Sequence, residues 1–302
     1  MTSLRAGCGL LACVLILATP RTSASQALSQ SLNGSAAPLY PLAGSTQLTE
    51  GSWEAAFAAR IGFPIGTLES VDRPVHGTRF SLNDLGINVS QSLEGSVAFA
   101  FTPRDAVRAS FLYCFLDGSS TQRSPVYYNA GLFKPGSLDT NADFYRFSLA
   151  YERTLLDSAS TDRVIGSLCL TYVAFGATLT GSGLNTTEHF SNFTSQRVLP
   201  VPIVGVRWDH PLAQGLTLRT SVLGGALPRV DSLRAEEEGH TLYFEQANID
   251  LGAGLAYSIR RKVQIEGGYQ FSYFRQRGTS LEDVNLIELI DNGLCLRLSA
   301  RF

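Results

Sequence analysis

Ser52-Trp53-Glu54-Ala55-Ala56-Phe57-Ala58-Ala59-Arg60-Ile61-Gly62-Phe63 is ruled by a period of two. Trp53, Ala55, Phe57, Ala59, Ile61 and Phe63 fall on one face, and Glu54, Ala56, Ala58, Arg60 and Gly62 on the other. Successive side chains of a strand point to opposite faces, so the run predicts a β-strand with one apolar face and one of charged and small residues. Soluble strands run about 5–6 residues, whereas a tilted strand that crosses a bilayer takes ~9–11. The length selects the second kind.

The pattern recurs along the chain. Val107, Ala109, Phe111, Tyr113 and Phe115 oppose Arg108, Ser110 and Cys114, and Tyr145, Phe147, Leu149 and Tyr151 oppose Arg146, Ser148 and Glu152. Leu251 to Tyr257, Val263 to Tyr273 and Leu294 to Phe302 alternate in the same way. Tight connections sit near 102–105, 157–162, 210–215 and 260–262. Long polar ones sit near 64–79, 117–142, 181–196, 228–241 and 277–292. Short turns on one rim and long loops on the other are the mark of a transmembrane antiparallel up-and-down β-barrel. The implied strands lie near 52–63, 80–102, 106–117, 143–155, 163–180, 197–209, 215–227, 242–258, 263–276 and 292–302. That makes ten, with eight or twelve as alternatives. The second of them is long and contains Asn83-Asp84 and Glu94-Gly95, so it reads either as an arm projecting above the membrane or as two shorter strands.

An up-and-down path brings the last outward residues of the descending strands to one rim. They are Phe101, Tyr151, Trp208, Tyr257 and Phe302, joined by Trp53 at the start of the first strand. All are aromatic, as an interfacial girdle requires, because amphipathic rings settle at headgroup level. The opposite faces give the expected lumen. Its acids are Glu54, Glu152, Asp250 and Glu266, and its arginines are Arg60, Arg108, Arg146, Arg207, Arg219, Arg297 and Arg301. A barrel of about eight strands is filled by its own side chains, and wide aqueous channels need sixteen or more. A mutually paired network that plugs the lumen is the first expectation, since an unpaired buried charge is costly. A narrow pore lined by arginines is the second.

Residues 51–302 resemble the bacterial outer-membrane β-barrels of the OmpA-type or small-porin kind. The closing segment, with Leu294, Leu296, Leu298, Ala300 and the terminal Phe302, is similar to the C-terminal signal of that superfamily. The resemblance implies recognition of this strand by the barrel-assembly machinery, and contact with outer-membrane lipid in a Gram-negative cell envelope.

The remaining sequence is consistent with export. Arg5 followed by the apolar run Leu10 to Ala18, then small residues at Ser23 to Ala27, reads as a signal peptide at 1–25. Residues 26–50 read as a flexible periplasmic linker. Of 24 Lys and Arg, Arg5 and Arg21 leave with the leader, so 22 face 26 acids. That balance argues against a nucleic-acid partner. Mean hydropathy is +0.07, as expected where apolar residues hide in alternate positions. Cys114, Cys169 and Cys295 remain after cleavage, an odd number that reads as three small buried thiols.

No phosphate loop, zinc cluster or nucleotide fingerprint is present, so no cofactor or metal is expected. His189-Phe190-Ser191-Asn192 resembles the His-x-Ser-Asn motif of outer-membrane lipid A deacylases, but no acidic orienter follows closely. His76, His189 and His240 fall in long loops and His210 in a tight turn, none with an evident carboxylate partner. Asp117, Asp139 and Asp143 read as solvated loop acids, as do Glu236 to Glu238. Tyr127, Tyr128 and Phe133 are expected to fold over the barrel mouth, with contact to a partner as the alternative. The leading expectation is a non-enzymatic outer-membrane protein, structural or surface-exposed, with at most a narrow pore. The alternatives are a small-solute porin, a lipid A-modifying or proteolytic barrel enzyme, and a soluble β-barrel binding protein with its aromatic face inside.

Overall fold

The computed structural model describes residues 50–72, 77–128, 131–157, 162–183, 187–190, 200–231, 243–260, 262–279 and 283–302. The expected leader, and the expected linker up to residue 49, lie outside these residues, as do Ser191, Asn192, His76, His240 and Glu236 to Glu238.

Ten long strands form the wall: β1 (Trp53–Asp72), β3 (Ser90–Ala100), β4 (Asp105–Gln122), β6 (Gly131–Asp157), β7 (Arg163–Gly183), β9 (Val201–Ala213), β10 (Leu216–Asp231), β11 (Tyr243–Arg260), β12 (Val263–Thr279) and β13 (Asp283–Arg301). Three short ones, β2 (Phe80–Ser81), β5 (Val126–Tyr128) and β8 (Thr187–Phe190), belong to the long connections. The long strands are antiparallel neighbours in chain order. β1 and β13 then pair from Glu54↔Arg301 to Asp72↔Asp283, which closes the sheet on itself. Closure gives each of the ten described long strands a neighbour on both sides, which removes the open edge that would template aggregation. At the seam Trp53 and Phe302 exchange backbone hydrogen bonds, N to O 3.3 Å and 2.9 Å.

The expected second strand divides in two. Between β2 and β3 the chain makes a tight turn, with Asp84 N donating to Ser81 O (3.1 Å) and Gly86 N to Asn83 O (2.9 Å). Ser81 and Asp84 cap it reciprocally: Asp84 N donates to Ser81 Oγ (3.1 Å) and Ser81 N to Asp84 Oδ2 (3.2 Å). This is a capping box. β2 pairs with β1 at Thr67 and Leu68, above the β1–β3 ladder, so residues 80–89 occupy the wall where β3 has ended. Gly86, at φ +76°, lies so close to the Ser119 carbonyl that a Cβ would overlap it, and Gly118 faces Leu85 and Gly86 just as closely. Gln122 Nε2 donates to Asp84 O at 2.7 Å, fastening the turn to β4.

Most strands run further toward the long-connection end than their alternation suggests. β6 alone has 27 residues, more than twice the ~9–11 that cross a bilayer. Much of 117–142, expected to be a polar connection, is therefore wall. The reason is a reversal of polarity along the barrel axis. On β4 the outward residues pass from Phe111 and Phe115 to Asp117, Ser119 and Thr121, while Leu112 and Leu116 point inward and are buried. On β6 Asp139 and Asn141 face out while Leu138, Ala142 and Phe144 are buried, and on β13 Ile287 and Leu289 flank the outward Glu288. The short-turn half thus has an apolar exterior and a polar lumen. The long-connection half has a polar exterior and an apolar interior.

That interior is the main hydrophobic core. Leu82, Leu85 and Ile87 from the tight turn join Leu68, Val126, Tyr128, Phe133, Val173, Phe175 and Leu179 in one cluster. Each such side chain, withdrawn from water, contributes about 1.5–3 kcal/mol as an upper bound. Tyr128 and Phe133 meet the expectation that they fold over the mouth, Tyr128 in edge contact with Phe80 at 6.4 Å. Tyr127 stays exposed.

Candidate functional site

Alternation carries all eleven expected lumen charges to the inside of the barrel, where they form layers along the axis. The floor, at the short-turn end, is built on Arg108 of β4. Its Nε donates to Glu152 Oε1 (2.7 Å) and its Nη2 to Glu54 Oε1 (3.1 Å). Arg301 Nε donates to the other oxygen of Glu54 at 2.9 Å. Arg219 Nε donates to Asp209 Oδ1 (3.0 Å), and its Nη1 pairs with Glu266. Arg207 stands 3.6 Å from the same Asp209 oxygen, and Arg163 is buried beside them.

Above the floor, a cavity of about 210 Å³ is lined by Arg146, Asp250, Glu94 and Arg297 among others. Arg297 Nη2 reaches Glu94 Oε1 at 3.4 Å, and Arg146 Nη1 donates to Asp250 Oδ2 at 2.7 Å. Ser272 links this layer to the next: its Oγ donates to Asp250 Oδ1 (2.6 Å) and accepts from Arg60 Nη1 (3.2 Å). Arg60 pairs with Asp291, which also accepts from Ser90 Oγ at 2.8 Å. The apolar core begins immediately above. Each charged side chain of these layers thus meets an opposite charge or a hydroxyl in a setting where isolation would cost several kcal/mol.

Glu94, Arg163, Asp209 and Asp291 belong to this network and were not expected in it. The first three follow the parity of their strands, and Asp209 stands two residues after Arg207. Asp291 lay outside the expected last strand, because the polarity reversal makes residues 283–291 look like loop. Cys114 and Cys169 are buried free thiols, and Cys295 is a half-buried one on the wall of the larger cavity.

The outer surface around these layers is continuous apolar side chain. Phe57, Ile61 and Ile65 on β1 are each more than half exposed, and Leu168, Val204, Val222, Leu255 and Leu296 continue the band around the ring. The six expected girdle residues lie at its lower edge, exposed, from Trp208 at 37% to Phe302 at 71%. Neighbouring rings touch there, Trp53 with Phe99 at 4.7 Å and Phe101 with Tyr151 at 6.3 Å between centroids. A belt of this extent, rimmed by aromatics and wrapped round a charged interior, suits hydrocarbon and not water.

This is the architecture of an outer-membrane β-barrel.

The aromatic face is outside, so the soluble alternative does not describe this fold. Among solved structures, the chain is similar to the outer membrane protease OmpT from Escherichia coli, at TM-score 0.46 and 10% identity over 85% of this chain and 100% of that one. It is also similar to the outer membrane protein OprG from Pseudomonas aeruginosa (TM-score 0.39, 8% identity, 85% and 98% covered). A third is Ail, the attachment invasion locus protein of Yersinia pestis (TM-score 0.28, 10% identity, 82% and 99% covered). No protein-family description and no curated protein matches the chain.

The other candidate residues sort as follows. Asp117, Asp139 and Asp143 are not loop acids. They sit on the outward face of β4 and β6, where Asn141 donates to Asp117 (2.9 Å), Ser119 to Asp139 (2.7 Å) and Tyr113 to Asp143 (2.6 Å). His210 does have a carboxylate partner, Asp162 Oδ1 at 2.6 Å from Nδ1, supplied by the short connection before β7. Its ring lies 5.4 Å from Trp208, which places the pair at the girdle. His189 falls in β8, whose side chains are not described. The outward residues of the expected assembly signal are exposed, Leu294, Leu296 and Leu298 along β13 and Phe302 just beyond its end.

Proposed function

We propose that this protein is a closed outer-membrane barrel without enzymatic activity, a rigid anchor that holds its long connections at the cell surface. The apolar core at the long-connection end carries this reading. Leu85, Leu116, Ile87, Val173 and Leu179 are fully buried across the region where a pore would need water. Below it the charged layers leave cavities of about 210, 20 and 20 Å³ among the described residues, and apolar packing covers them from above. The upper half is thus closed by dispersion contacts, and in the lower half ion pairs bridge the lumen around the larger cavity. The exposed apolar stripe of β13 is the segment offered to the barrel-assembly machinery, and the band as a whole to outer-membrane lipid.

The test has two steps. Protein extracted from outer membranes is run unboiled and boiled in SDS, and a mobility shift is expected from a barrel that detergent does not open. The same preparation is then placed in planar bilayers, where no discrete conductance steps are expected. Regular steps would replace this reading with the small-solute porin. Absence of the mobility shift, with recovery in the soluble fraction, would remove the membrane assignment itself.

A further inference from the structure

We propose that a file of water threads this barrel from the short-turn rim to the long-connection end, so that it conducts water while excluding ions. The proposal rests on the closed-barrel reading and adds to it. The packing that closes the upper half is interrupted along one side. On the inner face of β11, Asp250 is followed upward by Asn248 and Gln246, and Gln276 of β12 stands directly opposite Gln246. Asn248, Gln246 and Gln276 are each no more than 3% exposed. The next inward position of β12 is Gly278, whose partner on β13 is Asn285, and Asn285 pairs in turn with Ser70 of β1. Both are buried, and Ser70 Oγ donates to Asn285 Oδ1 at 2.8 Å. A polar seam thus climbs obliquely over four strands, among Phe274, Ile287 and Leu289 of the apolar core. It ends two residues below the last pair of β1 and β13, Asp72 and Asp283.

The amides of this seam are not satisfied by one another. Gln246 has no hydrogen-bond partner at Nε2 or Oε1, although Gln276 is its cross-strand neighbour. Gln276 Oε1 and Asn248 Nδ2 also have none. Buried polar side-chain atoms are almost always hydrogen-bonded, and an amide needs partners of both kinds. The missing partner must donate and accept, and must be small enough to enter a packed core. Water meets both conditions.

Below the seam, the cavities of the lumen follow one another along the axis. The one of about 20 Å³ beside Asn248 shares Arg146 and Asp250 with the one of about 210 Å³. That larger cavity shares Glu152 and Arg207 with the floor cavity, also about 20 Å³, which reaches the exposed Arg104 of the short turn. Each small cavity has room for a single water, which takes about 10–15 Å³ on this measure. All three cavities are bordered by groups that donate or accept. An ion has no such path. It would have to displace paired guanidinium and carboxylate groups, and amides set among apolar side chains cannot replace its hydration shell.

The test is osmotic. Liposomes of phosphatidylcholine and phosphatidylglycerol that carry the protein are stepped into hyperosmotic sucrose and followed by stopped-flow light scattering. They should shrink severalfold faster than protein-free liposomes. Gln246→Leu with Asn248→Leu should return the rate to the protein-free one while keeping the unboiled-to-boiled mobility shift. Wild-type shrinkage no faster than protein-free, or an undiminished rate in the folded double variant, would overturn the water path and leave the closed barrel standing. Conductance steps in planar bilayers would overturn the closed barrel and the exclusion of ions together. A second measurement needs no variant: crystals of the wild type should show water density bonded to Gln246, Asn248 and Gln276. Amides bonded to each other with no water between them would overturn the proposal equally.

Discussion

Arg60 of β1 and Asp291 of β13 form a buried ion pair although 231 positions separate them in the chain. Ser90 of β3 holds the second oxygen of Asp291, and Ser272 of β12 holds Arg60, so one pair joins four strands across the closing seam. Gly62 and Gly293 pair beside it, and a Cβ on Gly62 would overlap Asp291. The pair marks the boundary where the polar lumen gives way to the apolar core.

Asp291→Ala leaves Arg60 enclosed without its carboxylate, and stranded buried charges cost about 3–5 kcal/mol. A fall of that size is expected in the guanidinium unfolding curve followed by tryptophan fluorescence. Replacing both members, Arg60→Met with Asp291→Leu, should cost clearly less than the single change. A double variant as unstable as the single one would mean that the pair is not the source of the loss.

The turn at Leu82–Gly86 is held by its fit against β4. Gly86→Val places a branched side chain at φ +76° and against the Ser119 carbonyl. Strained backbone of this kind costs about 1–3 kcal/mol, before the overlap is counted. Surface proteolysis of intact cells should then cut the variant between β1 and β3 while sparing the wild type. Identical digestion patterns would show that the turn does not need this contact.

The chain has two tryptophans, Trp53 and Trp208, both at the girdle. Their common depth makes the fluorescence a single reporter. Lipids brominated near the headgroup should quench it more strongly than lipids brominated near the chain ends. The reverse order would move the short-turn rim to the bilayer centre and displace the whole apolar band.

Tyr128 lies above the band, and burial pushes its hydroxyl well above the ordinary value of 10.0. It donates to the Ala177 carbonyl at 3.4 Å. A raised acid stabilises the fold in its neutral form, so the contribution is complete below the unfolded value and is lost as pH rises above about 10. Wild-type stability should decline above that pH more steeply than that of Tyr128→Phe. The variant should be weaker by about 1 kcal/mol at neutral pH through the lost hydrogen bond. Parallel pH curves for the two proteins would show that Tyr128 does not titrate on unfolding.

Much of the barrel was legible because a strand's period is local. Trp53 to Phe63 shows its two faces without reference to any other segment, and the same holds for β4, β6, β11, β12 and β13. Parity also assigned Glu54, Arg108, Glu152 and Arg301 to the lumen. It reaches Glu94, Arg163 and Asp209 as well, which lie inside the expected strands, and fails only at Asp291, just outside the bounds drawn for the last strand. Such strand ends were obscured where Asp117 and Leu116, or Glu288 and Leu289, invert the chemistry of the two faces. An inverted stripe followed by turn residues looks like irregular chain.

The sequence by itself pointed to ten wall strands, with eight or twelve as alternatives, to their up-and-down order and to the inward face of the eleven charges it assigned to the lumen, since all three follow from alternation and connection length. Tertiary structure alone decided that Arg60 meets Asp291, that Arg108 bridges Glu54 and Glu152, and that His210 finds Asp162. Those contacts depend on how far the sheet staggers as it closes, a quantity no single strand contains. The same closure decided that the barrel continues past its apolar band. Only there, with lipid replaced by water outside, does it become favourable to turn Leu85, Ile87 and Phe175 inward and Asp117 and Asp139 out.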